Sequence, residues 1–181
     1  MGTIAVHEFI SLDGRYDDPS FTFAYGFDPK MDDTLAEITG AATGILLGRN
    51  TFEMFAPAWS TRTVDDDPGA PFFNDTTKYV VGAQEPAVEW ANSTRLGAYD
   101  PEVIRKLKAE TDGILYISGS GQLVRALLRD GLVDNLHLFV YPIALGTGER
   151  FFDDATTELA LISTDVYDNG VVHLNYGPAA E

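Results

Sequence analysis

The chain has 181 residues, 45% of them hydrophobic and 22% charged, with no cysteine. That length suits one domain, read as residues 1–181, with a substantial core, and the composition excludes disulfides, thiolate nucleophiles and cysteine-ligated metals. The 28 acidic and 12 basic side chains leave a net charge of −16, which repels nucleic acid and anionic lipid at long range, so neither is expected as a partner.

Thr3 to Ile10 alternates Ile4, Val6 and Glu8 against Ala5, His7 and Phe9 and reads as a first strand. The opening segment Met1–Glu8 has neither a basic nor a long apolar run, and no stretch reaches the roughly 18 apolar residues of a membrane span, so a cytoplasmic protein is expected. Ser11-Leu12-Asp13-Gly14-Arg15 follows as a turn. The loop on to Pro29 is dense in aromatics, Tyr16, Phe21, Phe23, Tyr25 and Phe27; they suit either the wall of a ligand cleft or core packing. Leu35, Ile38, Ala41 and Ala42 recur near helical spacing over Met31 to Ala42, with Asp32 and Asp33 in the favourable first turn. Gly44 is expected to stop this helix.

Ile45-Leu46-Leu47 then reads as a short buried strand, and Gly48-Arg49-Asn50-Thr51 opens a helix through Phe55. Pro57 to Asn74 is expected to be an exposed loop with a solvated acidic run at Asp65 to Asp67. Thr77 to Gly82 reads as a strand, Trp90 to Leu96 as another short one, and Pro101 to Glu110 as an amphipathic helix with proline in its first turn. Ile114 to Ile117 is apolar without alternation, as in a strand covered on both faces, and Ser118-Gly119-Ser120-Gly121 leads from it into a helix from Gln122 to Asp130. Asn135 to Ile143 resumes as a strand. A glycine-rich loop, Ala144 to Arg150, precedes a strand from Leu159 to Tyr167, a turn at Asp168-Asn169-Gly170 and a closing strand from Val171 to Tyr176. This order predicts a mixed α/β sheet flanked by helices and ending in an antiparallel hairpin.

Two strands thus end in small-residue turns that open helices. A helix N-terminus offers unpaired N–H groups and partial positive charge, so such a turn holds a phosphate. Gly48, Arg49 and Thr51 on one turn, and Ser118, Gly119, Ser120, Gly121, Gln122 and Leu123 on the other, are the candidate residues for clasping a dinucleotide. A tight turn that binds nothing is the bland alternative, and the full GxGxxG fingerprint is not satisfied, since Val124 stands at its last position. His7, His137 and His173 all fall in strand-like runs without ligand spacing, so no metal site is expected.

Four stretches, Ile10 to Gly14, Leu47 to Phe52, Ile117 to Leu123, and Pro142 to Gly148 with Phe151-Phe152, together resemble the dihydrofolate-reductase-like family that includes the C-terminal reductase domain of the bacterial riboflavin deaminase-reductase. Lys78 to Val81 and Trp90 to Ser93 resemble its middle section, so the likeness covers nearly the whole chain. The resemblance implies a dihydrofolate-reductase-like mixed sheet of about eight strands, NADPH held at the two turns, a riboflavin-biosynthesis type of reduction, and a homodimer. After Val80-Val81 relatives often carry a Ser-Arg pair near the adenosine end, where this chain has Gly82-Ala83-Gln84, so NADH stays open beside NADPH. No set of basic residues stands out to hold a ribose-phosphate substrate.

The expected activity is hydride transfer from a nicotinamide to a small heterocyclic or carbonyl substrate. Asp13 and Glu8 are the first candidates for the proton donor, with His7 and Asp32 beside them; Asp13 equally suits a turn cap. Trp59 and Tyr141 are candidates for stacking on a flat substrate, as is Tyr16, and each also suits packing. A non-catalytic dinucleotide-binding module and a dihydrofolate reductase are the competing readings.

Overall fold

The structure, a computed structural model, describes residues 2–26, 28–152 and 156–179. Phe27, one of the loop aromatics, lies outside the described residues. Eight strands, β1 (Thr3–Ser11), β2 (Ala42–Gly48), β3 (Lys78–Val81), β4 (Ser93–Gly97), β5 (Ile114–Ser118), β6 (Asn135–Tyr141), β7 (Leu159–Val166) and β8 (Val172–Pro178), form one sheet in the order β4-β3-β2-β5-β1-β6-β8-β7. The pairs from β4 to β6 are parallel, and β8 lies antiparallel between β6 and β7. The predicted mixed sheet with its antiparallel C-terminal hairpin is therefore present.

Helices cover both faces because alternate strand residues face opposite sides. α1 (Pro29–Gly40), α2 (Arg49–Trp59) and α3 (Ala70–Asp75) enclose one core, in which Met31, Ile38, Phe52 and Ala56 pack on Ile45, Leu47 and Tyr116. α4 (Pro101–Glu110) and α5 (Gly121–Arg129) enclose the other, with Ile104, Leu123, Val124 and Leu127 against Ile4, Val6, Leu46 and Leu115. From β2 the chain moves to β3 through the helices of the first face. From β5 it moves the opposite way across the sheet, to β6, through a helix of the second face. β2 and β5 are neighbours, so the connections diverge from a shared point, which in open parallel sheets leaves a crevice at the strands' C-terminal ends.

Three expectations shift. The first helix ends at Gly40 and Ala42 begins β2; Gly44 is not a stop but a strand residue, whose missing Cβ makes room for Leu115 and the Tyr79 ring. α2 runs through Pro57 to Trp59, since Ala56 is buried and Trp59 stacks on Phe73 with ring centroids 4.2 Å apart. The supposed loop to Asn74 contains α3, and its acidic run is engaged: Asp66 accepts from the Thr63 N–H and hydroxyl, and Asp67 accepts from the Gly69 N–H. Beneath this segment lies Lys78, wholly buried, donating to the carbonyls of Phe73, Asn74 and Thr76 and lying 4.6 Å over the Trp90 ring.

Candidate functional site: the cleft between two helix N-termini

A cleft of about 1410 Å³ opens at the C-terminal ends of β2, β5 and β1. The two small-residue turns meet there. Gly48 N–H donates to the Ser120 hydroxyl at 3.0 Å, joining the head of α2 to the head of α5. Ser120 is the N-cap residue of α5 but makes no side-chain cap bond to its own helix, and Gly48, the N-cap of α2, has no side chain with which to make one. Both helices therefore reach the cleft with first-turn N–H groups that no N-cap side chain covers, their positive dipole ends side by side.

The β5–α5 turn takes an unusual backbone to achieve this. Gly119 and Ser120 both have positive φ, 63° and 61°, and for serine that conformation is strained, a cost met where surrounding contacts fix it. One such contact is the bond from Gly48. Thr51 of α2 lies against Gly119, where a Cβ would come within 3.2 Å of its methyl group.

The other half of the cleft is aromatic. Phe9, Phe55, Trp59, Phe72, Phe73 and Tyr116 line it, with Asp32 and Leu35 from α1. At the base of the cleft, His7 Nδ1 lies 2.8 Å from the Tyr116 hydroxyl; burial lowers its pKa to about 3, with His137 and His173 adding to the effect, so it is neutral. Glu8 is buried, and desolvation raises its pKa well above the ordinary value against the opposing Gly119 N–H bond. Its Oε2 and the Nε2 of His7 lack hydrogen-bond partners, which leaves hydrogen-bonding capacity at the cleft wall. Asp32 is also raised, by desolvation first and then by Asp33 and Asp28.

Residues 3–173 match the family described as the RibD C-terminal domain. The chain belongs to this family. Its fold is the dihydrofolate-reductase-like one. The structure superposes on a Shewanella sp. PV-4 protein assigned to riboflavin biosynthesis with a TM-score of 0.80 at 19% identity, over 98% of this chain and 99% of that one. The riboflavin biosynthesis reductase Rib7 of Saccharomyces gives 0.64 at 16%, over 98% and 90%. Dihydrofolate reductase of Enterococcus faecalis, complexed with NADP(H), gives 0.63 at 14%, over 98% and 97%. By sequence, the Bacillus subtilis protein YwjB is 23% identical over 157 residues, 84% of this chain and 83% of that one.

In this RibD C-terminal-domain chain all nine residues assigned to the two turns line one cleft, as do Glu8 and Trp59, whereas Asp13 and Tyr141 do not. Asp13 is a staple. It accepts from the Ser11 hydroxyl and from the Leu145 and Gly146 N–H groups, and these bonds, Ser11 first, hold its carboxyl well below the usual range. A carboxylate so committed ties the first turn to the glycine-rich loop and has no proton to give. Tyr141 is wholly buried among Phe9, Phe21 and Tyr25, so it is core rather than a stacking platform.

Two further corrections concern the turns themselves. Arg49 is not a free cation: its Nη1 donates to both carboxylate oxygens of Glu53 at 2.9 Å, and its stem packs where a Cβ on Gly82 would stand. Gly121 does not open onto empty space, because the Tyr16 hydroxyl occupies the place its Cβ would need. Tyr16 is thus anchored on the α5 head, its hydroxyl interacting with Arg125 and Glu149. Sequence reasoning also missed Phe72 and Phe73 as cleft residues. An aromatic doublet inside a segment otherwise rich in turn formers was the available signal.

Among the described residues no helix is long and apolar enough to cross a membrane, and no cluster of three potential metal ligands occurs.

Proposed function

We propose that this chain is an NADPH-dependent reductase that adds hydride to a C=N or C=O bond of a small heterocyclic or carbonyl compound. The observation that carries the reading is the Gly48–Ser120 bond, which fixes two uncapped helix N-termini beside one cleft and gives a pyrophosphate an anchor that an acidic surface otherwise denies it. Membership of the RibD C-terminal-domain family and the likeness to Rib7 and to an NADP(H)-bound dihydrofolate reductase support it. These residues fit a nicotinamide dinucleotide: backbone donors for the phosphates at one end, and an apolar, water-excluding aromatic wall at the other. The bound cofactor supplies the hydride.

The chain's own work is orientation and proton supply. Phe9, Trp59 and Phe72 confine a ring at the aromatic end of the cleft, and the carbon that accepts hydride must be matched by a proton on the neighbouring nitrogen or oxygen. Glu8 is the donor in this reading, since burial raises the pKa of its carboxyl well above the ordinary value and so favours the protonated form, and its Oε2 is uncommitted.

The test is titration of the protein with NADPH and NADH, followed by loss of reduced-nicotinamide absorbance with carbonyl and heterocyclic acceptors. Binding with turnover is expected; no binding of either nucleotide overturns the proposal, and binding without turnover across the panel favours a dinucleotide-binding module. If Arg49, held by Glu53, faces the 2′-phosphate, Arg49→Ala weakens NADPH more than NADH; equal losses place it at the pyrophosphate.

We further propose a homodimer formed through β7. It is one of the sheet's two edges, seven of its eight residues are exposed, and Leu161, Ile162 and Val166 stand 54%, 56% and 72% open, a combination that invites pairing.

A further inference from the structure

Arg49 opens α2 on the side of the cleft that faces β3: its stem packs against Gly82, the residue after β3, and Val81, Gly82 and Tyr99 line the cleft there. A dinucleotide with its pyrophosphate at the two helix heads and its nicotinamide at the aromatic wall has this end left for its adenosine. Positive charge is scarce here. The loop Gly82-Ala83-Gln84 carries neither charge nor hydroxyl, Lys78 is turned inward onto backbone carbonyls, and Arg95 is bonded to Glu85 at 2.7 Å and to the Ala83 carbonyl at 2.8 Å. Among the described residues Arg49 is the one lysine or arginine that lines the cleft.

Glu53 governs what that cation offers. It lies one turn further along α2, where Arg49 Nη1 donates to both of its oxygens at 2.9 Å and leaves Nη2 and Nε without a hydrogen-bond partner among the described residues. Glu53 is held from its other side too, accepting the Ala87 N–H at 2.8 Å. That bond, ahead of Arg49, keeps its carboxyl below the usual pKa, so it is ionised near neutral pH. With side chains 30% and 23% exposed, the pair is screened less than one standing open on the surface. A 2′-phosphate, carrying a charge of about −1.5 to −2, therefore meets a guanidinium whose charge is offset by the carboxylate behind it. A free 2′-hydroxyl meets no such opposition, and a carboxylate beside the ribose is a favourable neighbour for it.

Resting on the reductase reading above, we infer that Glu53 is a specificity-determining residue that acts through Arg49: the ion pair narrows the preference for NADPH over NADH, and removing the carboxylate's charge widens it.

Calorimetry on the full chain and on Glu53→Gln tests this, with NADPH, NADH, adenosine 2′,5′-bisphosphate and adenosine 5′-phosphate as the probes. The glutamine keeps an oxygen for the Ala87 N–H and removes the charge, so the loop after β3 stays tied to α2. The ratio of NADPH to NADH affinity is expected to rise about ten-fold, and that of the bisphosphate to the monophosphate likewise. Ratios that stay level or fall while both dinucleotides bind overturn this inference alone and leave the reductase reading standing. Failure of both dinucleotides to bind the natural chain sinks the reductase reading, and a ten-fold gain for the bisphosphate would then still support the role of Glu53. Failure of all four probes sinks both.

Discussion

The hydroxyl of Tyr16 occupies the space that a Cβ on Gly121 would need. The first loop is thereby seated on the head of α5, with the Tyr16 ring edge-on to Phe151 at 5.6 Å. Gly121→Ala should therefore act through Tyr16 and cost about 1–3 kcal/mol by overpacking, lowering Tm by roughly 2–4 °C per kcal/mol. Adding Tyr16→Ala should recover part of that loss, so the double variant falls short of the sum of the singles. Thermal unfolding of the three variants checks this, and strict additivity would place the strain elsewhere.

Ser120→Ala removes the acceptor of the Gly48 N–H while keeping a side chain in a left-handed conformation. A loss of about 1 kcal/mol is expected from the unpaired donor. NADPH affinity should fall as well, because the two helix heads lose their link. Unchanged nucleotide affinity in a destabilised protein would show that the link serves folding alone.

Glu8 gives a pH signature. Its folded pKa lies above the ordinary 4.5, so the stability contributed by the protonated carboxyl is complete below that value and is lost as pH rises through the folded pKa. Glu8→Gln can still accept the Gly119 N–H bond, and its Tm should decline less than that of the natural protein on going from acid to alkaline pH. If Glu8 is the donor, the variant also loses about 10²–10⁴-fold in turnover and the alkaline fall in rate with it. A retained rate with a flattened stability profile would reduce Glu8 to a support for the turn.

The exposed edge of β7 predicts concentration-dependent association. Leu161→Lys together with Val166→Lys should shift the sedimentation coefficient from dimer to monomer while leaving the circular dichroism spectrum intact. A monomer before substitution, or a dimer indifferent to it, would rule out this interface.

Much of the architecture was open to reading from local pattern. The alternation in β1, the unbroken apolar run of β5 and the proline-headed α4 each carry their own signal, because strand and helix periods are local properties of the chain. The two turns were equally visible as small residues between a strand and a helix. The stretch from Pro57 to Asn74 misled because proline, glycine and aspartate mark turns, while the packing of Trp59 on Phe73 that holds its helices is a contact between two elements that neither one's residue types announce. Asp13 misled for a related reason: its committed partners, Leu145 and Gly146, come from the other end of the sequence.

Sequence alone determined the mixed sheet, the acidic surface, and two anion-ready turns, because these follow from residue type, charge count and periodicity. Tertiary structure alone decided that Gly48 and Ser120 touch, that Arg49 pairs with Glu53, that the Tyr16 hydroxyl fills the space beside Gly121, and that Glu8 rather than Asp13 is the buried carboxyl with a raised pKa. Proton affinity and free charge are set by what surrounds a group in space, and neighbours in space are chosen only when the sheet closes around them.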